Sequence, residues 1–123
     1  MRAAGGAERG DSVASVLAAL AAHVAARDWV MVHDAARPCV TCAEIDRLLE
    51  WASADSPGAL LAVPLADTLK RAQAGGTTVE STIPRSDLWR ALTPQMFRYG
   101  ALQDALARAR SQGRTPTDEA QAI

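Results

Sequence analysis

Asp34 and Arg37 stand where the chain changes character. Trp29-Val30-Met31-Val32 is apolar, and His33-Asp34-Ala35-Ala36-Arg37-Pro38 brings an acid, two small residues, a base and a proline. The apolar run predicts a short buried strand over 29–33. In open α/β sheets, ligands bind just past the carboxyl ends of strands. A carboxylate there can hold a hard divalent cation, and an arginine on the same loop can grip a phosphate. Both suit a phosphorylated substrate. A surface ion pair at a strand end explains the same two residues equally well.

Other residues admit chemistry and a plainer role side by side. Ser12 reads as a helix cap, although a helix N-terminus also receives anions and polar ligands. Lys70 and Arg71, near Thr68, read more simply as solvated charges than as a phosphate clamp. Arg85 follows Pro84 as a lone surface arginine would, and Thr93 before Pro94 reads as a turn residue. His33 adjoins the acid, but no Ser or Cys sits at a recognisable nucleophile turn, so a hydrolase triad is poorly supported. Cys39 and Cys42 form a C-x-x-C pair. A zinc site would need two more ligands, and His23 and His33 are the only histidines. A redox dithiol at a helix start is conceivable. Two small residues opening a helix is the simplest account.

The elements that must position these residues follow from periodicity. A Gly- and Ala-rich loop over 1–10 leads to a helix capped by Asp11 or Ser12, with Val13, Val16, Leu17, Leu20 and Val24 on one face, ending near Arg27. The strand at 29–33 follows. Thr41 and Glu44 match a capping box, and Ile45, Leu48 and Leu49 form the buried face of a second helix. Pro57-Gly58 marks a turn, and Ala59–Val63 is a continuous apolar run, as in a strand covered on both faces. Strand, helix, strand predicts a right-handed crossover in a parallel sheet. From Pro64 onward the polar stretch with Gly75-Gly76 at its centre reads as a hairpin arm. A hairpin alone is marginally stable in water, which favours a partner surface and a dimer. Leu88–Phe97 carries a Thr93-Pro94-Gln95 loop. A third helix spans 99–112, stopped by Gly113, and Thr117 caps a fourth beginning at Asp118.

Bulk properties exclude several classes. With 123 residues, 49% of them hydrophobic and 22% charged, the chain is a modest globular domain rather than a disordered one. Thirteen basic side chains against fourteen acidic ones leave a net charge of −1, which argues against a nucleic-acid coat or a polybasic membrane anchor. No apolar run approaches a membrane span, and the N-terminus lacks a signal-peptide core, so a cytoplasmic location is expected.

An ordered set of short motifs carries a family resemblance. Gly5-Gly6-Ala7-Glu8-Arg9 with Asp11-Ser12-Val13, then Val32–Pro38, then Asp67-Thr68-Leu69-Lys70, then Arg85 and Leu88-Trp89, then Leu92-Thr93-Pro94-Gln95, and finally Thr117-Asp118-Glu119-Ala120 all occur in sequence. Together they resemble the 2-C-methyl-D-erythritol 4-phosphate cytidylyltransferases of the non-mevalonate isoprenoid pathway. The resemblance implies a Rossmann-like α/β nucleotidyltransferase fold with a projecting β-arm at about 64–87, working as a homodimer through that arm. It implies a CTP-dependent transferase: the 4-phosphate of methylerythritol phosphate attacks the α-phosphorus of CTP, pyrophosphate leaves, and Mg2+ or another divalent cation assists.

By position, the resemblance puts Gly5, Gly6, Arg9, Ser12, Asp34 and Ala35 on the CTP side, with Asp34 as the metal ligand. Arg37, Thr68, Arg85 and Thr93 fall on the acceptor phosphate. Asp34 and Arg85 are the catalytic pair, and Thr68 and Arg85 act in the neighbouring subunit's site. The family pattern also has a Gly-rich loop with an arginine and a lysine before the first motif here, and a lysine-bearing strand after the last. Each lost transition-state donor typically costs about 2.7–4 kcal/mol, so these 123 residues alone are expected to be inactive or nearly so. A non-catalytic binding or dimerisation module, and a cytidylyltransferase for another pentitol phosphate, are the competing functions.

Overall fold

The apolar spacing Val13, Val16, Leu17, Leu20 produces the expected first helix, but it begins earlier than a cap at Asp11 or Ser12 requires. In the computed structural model, which describes residues 2–52 and 55–123, α1 runs Arg9–Leu20 and Glu8 is its N-cap. Asp11 lies inside the first turn and takes the Glu8 N–H at 3.4 Å. The helix stops at Leu20 rather than near Arg27. Asp28 closes the turn after it, its carboxylate accepting the Ala25 N–H at 2.7 Å. Then come β1 (Trp29–Val32), α2 (Cys42–Trp51) and β2 (Gly58–Pro64). The capping box that starts α2 forms as its sequence predicts: Thr41 Oγ1 accepts the Glu44 N–H at 3.3 Å, and Glu44 accepts the Thr41 N–H at 2.7 Å.

Next are β3 (Leu69–Ala72), β4 (Val79–Ile83), β5 (Trp89–Arg98), α3 (Tyr99–Ser111) and α4 (Glu119–Ala122). β5 is the longest strand among the described residues, and it runs unbroken through Thr93-Pro94-Gln95, which the sequence reads as a loop. Proline cannot donate to a ladder, so Pro94 argues locally against a strand. The register explains its tolerance. Trp29 pairs antiparallel with Arg98 and Val32 with Gln95, so Pro94 and Thr93 run past the end of β1, where no ladder bond to it is lost. The Thr93–Pro94 peptide is cis. The sheet order is β1-β5-β2 and β5 runs antiparallel to β1, so the sheet expected to be parallel is not wholly so.

The chain divides into two compact units, Met1–Leu61 with Thr93–Ile123, and Ala62–Leu92. The core of the first gathers Leu17 of α1, Phe97 of β5, and Tyr99 and Leu102 of α3, with Val30 and Val32 of β1 packed against them. The Tyr99 hydroxyl donates to the Leu17 carbonyl at 3.0 Å, so its polar end is satisfied inside the core. In the second unit β3 and β4 pair antiparallel, with Lys70 opposite Thr82. Gly75 turns the hairpin at φ 71°, in the left-handed region open to glycine. The Lys70 ammonium donates to Thr82 Oγ1 at 2.7 Å, which gives it a cross-strand role.

At the C-terminal end Asp118, not Thr117, is the cap of α4. Its carboxylate accepts the Gln121 N–H at 2.9 Å, and the Gln121 side chain accepts the Thr117 N–H at 2.7 Å.

Candidate functional site

The chain past β1 folds into a tight turn, the Arg37 N–H reaching back to the Asp34 carbonyl at 2.9 Å. Ala35 and Ala36 occupy the centre of that turn, where small exposed residues leave the backbone open to a ligand. Thr93, on the segment of β5 that overruns β1, braces the turn from below. Its Oγ1 accepts the Asp34 N–H at 3.1 Å and lies 3.2 Å from His33 Nδ1. His33 Nε2 is 2.9 Å from the Arg37 carbonyl, which can only accept, so Nε2 carries the proton. In the neutral ring Nδ1 is then the acceptor for the Thr93 hydroxyl. One hydroxyl and one imidazole thus tie together both ends of the Asp34–Arg37 turn. Thr93 is buried and belongs to the strand, not to the turn its sequence suggests.

The loop before α1 supplies a second wall. The Gly6 N–H donates to Ser12 Oγ at 3.0 Å, and Ser12 donates onward to the Glu8 carbonyl at 3.4 Å. A Cβ on Gly6 would collide with the Asp11 side chain, so only glycine lets the loop close onto the helix start. A Cβ at Gly5 would come within 3.8 Å of the same Ser12 hydroxyl. Gly5, Gly6 and Ser12 therefore form one local structure. Ser12 does not cap the helix but fastens the loop to it.

Arg9 joins the two walls. Its Nε and Nη2 both lie 3.3 Å from Asp34 Oδ1, and its Nη1 lies 2.6 Å from Glu119 Oε1. Arg37 Nε reaches Asp34 Oδ2 at 3.4 Å. Burial pulls the Arg9 pKa down, but the hydrogen bonds and charges of Glu119 and Asp34 outweigh it and hold the guanidinium above its ordinary value. Arg9 stays charged, and Asp34 sits between two cations with 35% of its side chain exposed.

Glu119 and Gln95 are the residues that sequence reasoning missed. Glu119 is 1% exposed, and its Oε2 has no partner among the described residues. Gln95, equally buried, donates from Nε2 to Asp118 Oδ2 at 2.9 Å and accepts the Ala120 N–H on Oε1 at 3.1 Å. Its amide thus pins the start of α4 to β5.

The first unit therefore brings together Gly5, Gly6, Arg9, Ser12, Asp34, Ala35, Arg37 and Thr93. Thr68 and Arg85 belong to the second unit. Thr68 is exposed just before β3, and Arg85 is exposed with its Nη1 donating to the Leu65 carbonyl at 3.2 Å.

Among the described residues no cluster of three or more His, Cys, Asp or Glu could cage a metal ion. At the turn itself Asp34 offers a half-exposed carboxylate, whereas Glu119 across Arg9 is buried. That donor set fits Mg2+, which commonly binds through one or two carboxylates together with substrate phosphates. Cys39 and Cys42 are exposed and not bonded to each other. No helix among the described residues is long and apolar enough to cross a membrane.

Comparison with known proteins adds an independent line. The family model described as 2-C-methyl-D-erythritol 4-phosphate cytidylyltransferase (IspD) matches residues 1–123. A protein of that name from Vibrio atlanticus is 52% identical over the whole chain, and one from Pseudomonas aeruginosa is 57% identical over 99% of it. The chain spans about half the length of these curated relatives, 52% in each case. Among solved structures, the Francisella tularensis 2-C-methyl-D-erythritol 4-phosphate cytidylyltransferase superposes with a TM-score of 0.85 at 38% identity, over 96% of this chain and 54% of that one. A 4-diphosphocytidyl-2C-methyl-D-erythritol synthase superposes with a TM-score of 0.82 at 43% identity, over 96% of this chain and 53% of that one. The nucleotidyltransferase fold expected from the motifs is the fold observed.

Proposed function

This chain belongs to the 2-C-methyl-D-erythritol 4-phosphate cytidylyltransferase family, and we propose that it forms the acceptor- and nucleotide-binding part of an enzyme that transfers a cytidylyl group from CTP to 2-C-methyl-D-erythritol 4-phosphate. The observation that carries the reading is the Asp34–Arg37 turn held on Thr93, with the Gly6–Ser12 loop joined to it through Arg9. An oxygen of the acceptor phosphate attacks the α-phosphorus of CTP. The bond from that phosphorus to the β-phosphate bridging oxygen breaks, and pyrophosphate carries away the electron pair.

Such a reaction needs little covalent help from protein; it needs alignment of in-line oxygens and positive charge around them. Arg37 presents a planar fork suited to phosphate oxygens at the end of a fixed turn. The Gly5-Gly6 loop lets backbone groups approach a base closely, and Ser12 keeps that loop in place. Asp34 offers its carboxylate to Mg2+, which when bound screens the repulsion between phosphates. Arg85 and Thr68, on the hairpin-bearing unit, would contact the acceptor phosphate of a neighbouring subunit, which makes the working form a homodimer. The two exposed, unpaired thiols suit a reducing compartment, so the location proposed is the cytoplasm.

Pyrophosphate release by the complete polypeptide carrying these residues tests the reading. With CTP, Mg2+ and 2-C-methyl-D-erythritol 4-phosphate, release should depend on all three. Release of equal rate with ribitol phosphate in place of methylerythritol phosphate would move the acceptor to another pentitol phosphate. Nucleotide binding without any release would reduce the chain to a binding module.

A further inference from the structure

Glu119 is a charged group that the mechanism above leaves unused. It sits in the first turn of a four-residue helix, almost without exposure, 2.6 Å from one nitrogen of Arg9. A carboxylate is rarely buried unless it is paired, because desolvation penalises the charged form. Here the pairing is asymmetric. Arg9 holds Glu119 at 2.6 Å but stands off Asp34 at 3.3 Å with both of its remaining contacts. Charge-assisted N–H···O bonds are strongest near 2.7–2.9 Å, and low dielectric strengthens them further. Arg9 therefore belongs chiefly to Glu119. The unpartnered Oε2 of Glu119 adds acceptor capacity on that side. Gln95 fixes the arrangement by binding Asp118 and the Ala120 N–H, the residues on either side of Glu119.

The charges that face Asp34 are Arg9 and Arg37, and the charges that answer them are Asp34 itself and Glu119. The cluster is neutral only with Glu119 present. Both guanidinium groups already touch the Asp34 carboxylate, Arg9 at 3.3 Å and Arg37 at 3.4 Å. Without Glu119 that carboxylate alone would balance both charges and be held more tightly, and it is the one the proposed reaction needs for a cation. We propose that Glu119 is a positioning residue: it holds and neutralises Arg9, so that the Asp34 carboxylate stays available to the divalent cation that accompanies the nucleotide. The inference rests on the reading of Asp34 given above.

The test compares Glu119→Gln with the parent in the complete polypeptide, titrating MgCl2 at fixed CTP and following CTP binding by calorimetry as well as turnover. Glu119→Gln should raise the Mg2+ concentration for half-maximal CTP binding about tenfold, with the KM for the acceptor phosphate changed by less than about twofold. A uniform loss of turnover with the Mg2+ half-point unmoved would overturn the proposal and leave Glu119 a purely structural residue.

Asp34→Asn separates this from the underlying reading. If that variant leaves the Mg2+ half-point unmoved, the assignment of Asp34 fails; if it moves and Glu119→Gln does not, only the positioning role fails. A double variant, Arg9→Gln with Glu119→Gln, replaces the ion pair by an amide pair and leaves no buried unpaired charge, which protects the test against misfolding. It should return the Mg2+ half-point to within about threefold of the parent, whatever it does to CTP affinity itself. A double variant as demanding of Mg2+ as the single one would also overturn the proposal.

Discussion

Thr93 shows how much one hydroxyl can organise. It receives the Asp34 N–H and contacts His33, so Thr93→Val keeps the shape and strands a partly buried donor. An unsatisfied group of this kind costs about 1–3 kcal/mol. We expect Thr93→Val to lower the melting temperature and to cut kcat/KM for the acceptor phosphate at least about tenfold, with Thr93→Ser restoring both. Equal activity in the valine variant would show that the turn holds without the hydroxyl. Arg85→Ala bears on the other side of the site. Removing one charged donor to phosphate should lower kcat/KM for the acceptor by roughly 10- to 100-fold while CTP affinity changes little. A collapse of CTP affinity instead would place Arg85 on the nucleotide. Asp34, Arg37 and Ser12 were legible as candidates because a strand end and a helix start each fix where a side chain emerges. Glu119 was not, since its partner Arg9 lies 110 residues away and a carboxylate in a short helix ordinarily faces water.

At the scale of elements, α1 and α3 are joined by Arg110 Nη2 donating to Asp11 Oδ1 at 2.7 Å. The bond to Arg110, together with the one from the Glu8 backbone, holds the Asp11 carboxyl below the usual carboxylate range. A depressed folded-state pKa stabilises the fold above the unfolded value, about 3.9 for aspartate, and that contribution is lost as pH falls through the folded value. Acid unfolding followed by circular dichroism should therefore begin at higher pH in Arg110→Ala than in the parent. The difference should shrink in high salt, because the pair is exposed. If the two acid midpoints coincide at low salt, the bridge contributes nothing. Helices α2 and α3 were readable because caps and apolar stripes are local signals. β5 was not, because its local evidence, a proline and polar flanks, opposes a strand. Its formation is decided by pairing with β1, a partner 63 to 69 residues earlier that no local pattern reveals.

Across the whole molecule, stability is unevenly shared. The first unit owns the buried cluster of Leu17, Phe97, Tyr99 and Leu102, whereas β3 and β4 are exposed at nearly every residue. Hydrogen bonds without burial open easily. In native-state hydrogen exchange at protein concentrations low enough to leave single chains, amides of 69–72 and 79–83 should exchange well before those of α3 around Leu102. Matching protection even at that dilution would mean that the hairpin is stable without a partner's cover. The dimer makes the further demand that hairpin protection rise with protein concentration while that of α3 stays constant.

The glycines of the opening loop and helix have opposite tolerance for change. At position 6 a single added methyl group meets Asp11, so every coding change there damages the loop that Ser12 fastens. At position 10, inside α1, nothing lies within 4 Å of where a Cβ would sit. Gly10→Ala should thus add roughly 0.5–1 kcal/mol of stability through helix propensity alone. Anyone engineering a hardier version of this protein has an adjustable position within one helical turn of an untouchable one.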